Sequence, residues 1–230
     1  MPTDAAIPAT VPATALVIGA SGGIGAALAT ELERRGTAVT RLSRRDDGLD
    51  VTDPASVERV LGAVERPFAL ILVAIGILAP EGQGPEKALD AIEADHMARV
   101  IAVNAIGPAL VLRQLSRLIE PGGRCGVLSA RVGSIGDNAM GGWYSYRASK
   151  AALNQILHGA ALELKRQDKG AVLVALHPGT VETEFTAPYA GRHKMVSAEE
   201  AAKNLLQVMD NLDPAQSGGF YDWRGEEVPW

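Results

Sequence analysis

The sequence predicts an α/β domain built on one doubly wound parallel sheet with helices on both faces. Three observations predict it. Short apolar runs at residues 15–18, 38–42, 68–75, 124–129 and 171–176 alternate with longer segments of helical character along the whole chain. The first run leads straight into a glycine-rich turn, Gly19-Ala20-Ser21-Gly22-Gly23-Ile24-Gly25, and a helical segment follows it. The run at 68–75 is apolar throughout, as a central strand covered on both faces requires.

Size and composition narrow the classes. At 230 residues the chain fits one domain with a full core, read here as residues 14–230 behind a flexible leader at 1–13. That leader, with Pro2, Pro8 and Pro12, lacks the charged start and long apolar core of a secretion signal. Hydrophobic residues make up 47% and charged residues 21%, ordinary values for a globular protein. A net charge of −5 argues against nucleic acid and anionic membrane as partners. No apolar stretch approaches the ~20 residues that span a bilayer. The single cysteine, Cys125, cannot form an internal disulfide, and a reducing, cytoplasmic location is expected.

The glycine turn is the first candidate site. Residues 26–35 favour helix and end at Gly36, a natural C-cap. A strand, a glycine turn and a helix N-terminus together favour an anion through free N–H groups and the helix dipole. Glycines stand where Cβ atoms would keep a pyrophosphate out, so Gly19, Ser21, Gly23, Ile24 and Gly25 are assigned to cofactor binding.

Residues 38–42 are the second strand. An acid at its end would grip a ribose 2′-OH, and a cation a 2′-phosphate. Here the sequence runs Leu42-Ser43-Arg44-Arg45 with no acid before Asp46. Arg44 offers a planar fork of donors and Ser43 a further hydrogen bond, so NADP(H) is favoured over NAD(H). Residues 50–54 are read as the end of a short strand and the start of a helix, with Asp53 as N-cap and Pro54 at the first helical position. Asp50 and Val51 are then placed to meet the adenine. At the end of the third apolar run, Ala74 and Gly76 join the cofactor wall.

A Gly- and Pro-rich loop at 79–85 precedes a helix expected over about 86–100, and another is expected to begin near Asn104. That amide sits in an apolar context and must find partners. Its functional reading is a polar group that orders a water beside a lysine. The strand at 124–129 gives way to a Gly-rich loop at 130–143, and then comes the helix with Tyr146 and Lys150. Four residues apart, these two share one helix face. A cation held beside the phenol favours the phenolate and brings its pKa toward the working range of acid–base catalysis. The strand at 171–176 ends in His177, read as a strand-end histidine because no Cys/His/Asp cluster suggests a metal. Residues 184–196 are read as a mobile segment able to close over a site. Residues 197–212 are a helix capped by Ser197 with Glu200, and residues 219–223 a last strand.

With these motifs in order, the chain resembles the short-chain dehydrogenase/reductase family over nearly its whole length, and the resemblance implies a Rossmann-type sheet. Gly19, Gly23 and Gly25 match the cofactor turn T-G-x-x-x-G-x-G, with Ile18 where threonine is usual. Asn104 matches the family's asparagine, and Tyr146 and Lys150 its Y-x-x-x-K pair. Pro178, Gly179, Val181 and Thr183 fall on the P-G-x-x-x-T segment that contacts nicotinamide and phosphates. More narrowly, residues 129–135, 141–150 and 220–223 resemble the C-factor-type branch, described partly as carbonyl reductases and partly as cell–cell signalling proteins.

Two departures stand out. Val73-Ala74-Ile75-Gly76 replaces the usual N-N-A-G, and Ala130 falls where the catalytic serine is usual. Counting back from Tyr146 selects Ser134 instead, with Ser129 in reserve. The resemblance implies an NADP(H)-dependent enzyme interconverting a carbonyl and an alcohol. Tyr146 is the acid–base, Lys150 and Asn104 its partners, and Ser134 the substrate's hydrogen-bond donor. The alternative is a cofactor-binding signalling or scaffold protein with weak or lost catalysis. Specificity is expected from residues 137–143 and 184–196, including Trp143, Phe185 and Tyr189. A homodimer or homotetramer is expected through the helices that begin near Asn104 and Tyr146.

Overall fold

The computed structural model describes residues 11–183, 186 and 195–230. Phe185, Tyr189 and most of the segment expected to close over a site lie outside the described residues, as does most of the 1–13 leader. Six strands form one parallel sheet in the order β2-β1-β3-β4-β5-β6. They are β1 (Thr14–Ile18), β2 (Ala38–Leu42), β3 (Phe68–Val73), β4 (Ile119–Leu128), β5 (Val172–His177) and β6 (Phe220–Asp222). The helices are α1 (Gly23–Arg34), α2 (Arg44–Asp47), α3 (Pro54–Gly62), α4 (Ala94–Ile101), α5 (Gly107–Leu112), α6 (Leu115–Leu118), α7 (Tyr144–Gln167) and α8 (Ala198–Asn211).

Alternation along the strands sends successive side chains to opposite faces. Leu16, Ile18, Ile71, Val73, Cys125, Val127, Leu173 and Ala175 share one core with Leu153, Leu157, Ala161 and Leu164 of α7. Ala15, Val17, Leu70, Leu72, Val172, Val174 and Leu176 share the other with Leu28 and Leu32 of α1 and Leu205, Leu206 and Met209 of α8. Both faces are therefore covered. The register aligns Ile18 with Val73, Val73 with Val127 and Leu128 with Leu176. Gly19, Ala74, Leu128 and Leu176 consequently stand level at the carboxyl edge, with Ser129 and His177 one residue beyond. Strand order reverses between β1 and β3, the switch point where such sheets open a ligand crevice.

Several expectations are corrected. Residues 50–54 form no strand: Asp50 Oδ1 accepts Thr52 N–H and Oγ1–H at 2.9 and 2.7 Å, which curls the chain into a turn. Asp53 does cap α3, accepting Ala55 N–H, and Ser197 caps α8. The helix expected from about 86 begins only at Ala94, after a 3₁₀ turn at Leu89–Ala91. No new helix starts at Asn104. Instead α4 runs through a π-helical turn, Ala102–Ile106, into α5. Pro108 has no N–H to give the Asn104 carbonyl four residues back, which disfavours a plain α-turn there. The continuous helix Ala94–Leu112, 19 residues, is long and apolar enough to cross a membrane by length and composition alone, as a buried core helix also is. Half of it is buried inside the protein, and it packs against α7.

Charge ties α1 to α8. Glu31 accepts from Arg34 and Arg35, and Arg35 reaches Asp210 at 3.0 Å. The Arg34 hydrogen bond, with help from Arg35 and against burial, brings the Glu31 carboxyl from 4.5 to about 2. A carboxylate depressed in the folded state stabilises it above the unfolded pKa and loses that contribution as pH falls. Glu31→Gln should therefore lower Tm at pH 7, and thermal melts should show its gap to wild type closing as pH falls from about 4.5 toward about 2.

Candidate active site

A cavity of about 600 Å³ opens at the switch point. Its walls come from the β1–α1 turn (Ser21–Gly25), the end of β3 (Ala74–Gly76), the end of β4 (Leu128–Ala130), α7 (Tyr146, Lys150) and the segment after β5 (Pro178, Gly179, Val181, Thr183). Arg45, His177 and Thr186 complete it.

The glycine turn is closed by contacts that leave no room for side chains. Gly19 sits at φ +89°, and a Cβ there would lie 2.3 Å from the Ala74 carbonyl oxygen. A Cβ on Gly25 would lie 2.2 Å from Gly19 O, and one on Gly23 would lie 2.7 Å from Thr183 Cγ2. At the start of α1, Gly22 brings no side-chain cap and the first turn carries no acid. The helix thus presents uncapped N–H groups to the cavity without a competing carboxylate, which fits an anionic pyrophosphate.

On the opposite wall, Tyr146 is 7% exposed and Lys150 3% exposed. Lys150 Nζ donates to Leu128 O at 2.9 Å and lies 6.0 Å from the centre of the Tyr146 ring. The stem of Lys150 packs on Gly133, where a Cβ would sit 2.7 Å from Lys150 Cβ. Burial pushes the Lys150 ammonium down to about 8. Burial also pushes the Tyr146 phenol well above its ordinary value. The expectation that Lys150 depresses the phenol in this chain is corrected: at that separation loss of water outweighs the attraction of the cation.

Asn104 is fully buried, and its side chain is committed. Oδ1 accepts Ile77 N–H at 2.8 Å, while Nδ2 donates to Ile77 O at 2.8 Å and to Ser149 Oγ at 3.0 Å. Ser149 in turn donates to the Tyr146 carbonyl. The asparagine thus clamps the loop after β3 to the turn of α7 that carries the Tyr/Lys pair. Both Nδ2 protons are committed, and Oδ1 keeps one acceptor site beyond the Ile77 N–H.

The serine assignment is corrected. Ser134 is buried outside the cavity wall, and its Oγ accepts Asp137 N–H at 3.0 Å, closing the loop after a 3₁₀ turn at Arg131–Gly133. Ser129 does line the cavity, but its hydroxyl donates to Asn154 Oδ1 at 2.6 Å. Ala130 lines it beside them, without a hydroxyl.

On the ribose side, Ser43 Oγ accepts Asp46 N–H and donates to Asp46 Oδ2, so it caps α2 rather than facing the cavity. Arg45, not Arg44, reaches the cavity wall, and its guanidinium pairs with Asp46 at 2.8 Å. Both arginines are exposed on the four-residue helix α2, and Arg45 is the one at the cavity rim. Asp50 is held by Thr52, and Val51 packs under Gly107, where a Cβ would meet Val51 Cγ2 at 2.7 Å; neither lines the cavity. Sequence reasoning passed over His177 as a site residue. It lines the cavity, its Nδ1 is enclosed without a partner, and burial followed by the nearby Arg131 brings its pKa to about 4.

A glycine turn with uncapped N–H groups thus lies at the switch point and shares one cavity with the buried Tyr146 and Lys150. The profile of the short chain dehydrogenase family matches residues 13–193, and the chain belongs to that family. It is 32% identical to the 1-hydroxy-2-glutathionyl-2-methyl-3-butene dehydrogenase of Rhodococcus sp. (strain AD45), covering 94% of this chain and 99% of that one. It is 40% identical to the C-signal protein of Myxococcus xanthus over 149 residues, covering 62% of this chain and 84% of that one. Among solved structures, a short-chain dehydrogenase/reductase from Burkholderia multivorans with bound NADP superposes with a TM-score of 0.77 at 29% identity, covering 95% of this chain and all of that one.

Gly25→Ala tests the turn. Its Cβ would collide with the Gly19 backbone, so NADPH affinity should fall at least about tenfold by fluorescence titration while far-UV circular dichroism stays unchanged.

Proposed function

We propose that this chain is an NADP(H)-dependent oxidoreductase that interconverts a carbonyl and an alcohol, with Tyr146 as the proton donor and acceptor. The observation that carries the reading is the shared cavity: Tyr146 and Lys150 are buried in the wall that faces the glycine turn. A bound nicotinamide dinucleotide supplies the hydride. The turn from Gly19 to Gly25 holds the pyrophosphate, with Ala74 and Gly76 beside it. Pro178, Gly179, Val181 and Thr183 flank the nicotinamide half. Arg45 takes the part first given to Arg44 and reaches for the 2′-phosphate, which supports NADP(H) over NAD(H).

At neutral pH burial keeps the phenol of Tyr146 protonated, so it is poised to give a proton to a carbonyl oxygen. Lys150 contributes its charge near the nicotinamide ribose. Asn104 fixes the turn of α7 through Ser149. With Ala130 bringing no hydroxyl, Tyr146 carries the hydrogen bond to the substrate oxygen. A homodimer or homotetramer would use α5 and α7, where Leu162 of α7 and the adjoining Ile106 are exposed.

Likeness to C-signal and the alanine at 130 favour a second reading, a cofactor-binding signalling protein with weakened catalysis. Turnover separates the two. Against a panel of aldehydes and ketones, wild type should oxidise NADPH with kcat/KM about 10–100 times that for NADH, the worth of a charged hydrogen bond. Tyr146→Phe should lose about 10²–10⁴-fold in kcat and leave NADPH affinity within about twofold. Tight NADPH binding with no turnover on any substrate would establish the signalling reading instead.

Lys150 adds a pH test. Its proton leaves as pH rises through about 8, taking away a charge that attracts the anionic dinucleotide. NADPH affinity should therefore decline above that pH, by at most about tenfold per unit. Lys150→Met should bind more weakly at pH 7 and show no such step in a titration series.

A further inference from the structure

Helix α7 begins under unusual conditions. Gly141, Gly142 and Trp143 all adopt left-handed backbone, at φ 63°, 66° and 53°, and Trp143 brings no side-chain cap. For a bulky residue that conformation costs about 1–2 kcal/mol, so something must hold it. The first turn of α7 carries no acid of its own. The acceptors come from 59 residues away: Glu86 Oε2 accepts Ser145 N–H at 3.2 Å, Glu86 Oε1 accepts Ser145 Oγ–H, and the Glu86 carbonyl accepts Trp143 N–H. Glu86 is 5% exposed and Ser145 fully buried. His96 Nε2 stands 3.7 Å from Glu86 Oε1, and His96 Nδ1 is paired with Gln83 Oε1 at 2.7 Å.

Burial pushes the Glu86 carboxyl up, but the hydrogen bonds from Ser145 and from its own backbone, with the nearby His96, together hold it below its ordinary value. A carboxylate at the positive end of a 24-residue helix is favourably placed. The next residue after Ser145 is Tyr146. The chain thus caps this helix from the loop after β3, and Asn104 fastens the same loop at Ile77.

We propose that Glu86 is a positioning residue for the reaction: by capping α7 through Ser145 it sets where the Tyr146 hydroxyl stands. This rests on the assignment of Tyr146 as the acid. A group displaced by about 1 Å loses about a hundredfold in rate without losing the cofactor, because the glycine turn that holds the dinucleotide is elsewhere.

The test uses the full chain in five forms: wild type, Glu86→Gln, Glu86→Ala, Ser145→Ala and the Glu86→Ala/Ser145→Ala double variant. Steady-state kinetics with NADPH and one aldehyde that wild type accepts are combined with amide hydrogen exchange over residues 143–150. Expected are kcat losses of about tenfold or more in Glu86→Ala and Ser145→Ala, with KM for NADPH within about twofold. The double variant should fall no further than the worse single, as coupled groups do. Glu86→Gln, which keeps an acceptor oxygen, should recover kcat to within about threefold of wild type. Exchange at 143–147 should quicken in Glu86→Ala.

Single-variant kcat values within about twofold of wild type, losses that multiply in the double, or parallel loss of kcat and NADPH affinity would overturn the assignment. If Glu86→Ala does not fold, Glu86→Gln and Ser145→Ala decide by the same criteria. If wild type reduces no aldehyde, the catalytic reading fails by itself. Exchange then decides the cap: faster at 143–147 upholds it, and unchanged exchange refutes it.

Discussion

The buried ammonium group of Lys150 is the constraint on which the site depends. Nζ reaches the Leu128 carbonyl at the end of β4, with 3% of the residue exposed. An ion taken out of water is costly unless paired, and one carbonyl is a partial answer. That cost shows in its pKa, brought down to about 8. The rest of the wall is arranged to permit the burial. Gly133 withholds a side chain so that the lysine stem can pack. An anionic ligand in the cavity would complete the compensation.

The sheet determines where that ammonium can be useful. Parallel pairing brings the ends of β1, β3, β4 and β5 to one edge, and the reversal of strand order between β1 and β3 leaves a gap there. The glycine turn fills the floor of the gap, packed so closely that Gly19 touches both Ala74 and Gly25. Leu153 and Leu157 anchor α7 in the core, each worth about 1.5–3 kcal/mol of burial, which fixes the helix along its length. Its first turn needs the separate fastenings from Asn104, Glu86 and Arg147. Arg147 bonds the carbonyls of Gly141 and Gly142 and so braces the left-handed run.

What could be seen in the sequence follows from range. The glycine turn and the Tyr146/Lys150 spacing are local patterns with local meaning, and the cavity contains both. Alternating apolar runs revealed the parallel sheet because burial on both faces imposes them. The misreadings share one cause: each depended on a contact distant in sequence or on a turn of a few residues. Ser134 has a suitable separation from Tyr146, yet a 3₁₀ turn buries it beneath Asp137. Arg44 and Arg45 are equivalent as letters, and Arg45 is the one at the cavity rim. Glu86 looked like the first residue of a helix, but its acceptors serve another helix 59 residues on. A tandem of Gly141, Gly142 and a helix with no cap of its own was the one sequence hint that an outside acceptor was needed.

Burial of Tyr146 would weigh differently on its use as an acid and as a base in a carbonyl/alcohol reaction. Oxidation needs the phenol as a base, and burial opposes that by raising its pKa. Lys150 counters weakly, because Nζ is 6.0 Å from the ring centre and loses its own proton near pH 8. Reduction needs the phenol as an acid, which the apolar wall already favours. A hydroxyl at position 130 would add a second hydrogen bond to the substrate oxygen, stabilising negative charge there in either direction. On the proposed reading Tyr146 alone would meet that charge, so the geometry of its helix turn would matter more than in a site with two donors. The fastenings supplied by Asn104 and Glu86, neither of which reaches the cavity wall, would then bear on the chemistry.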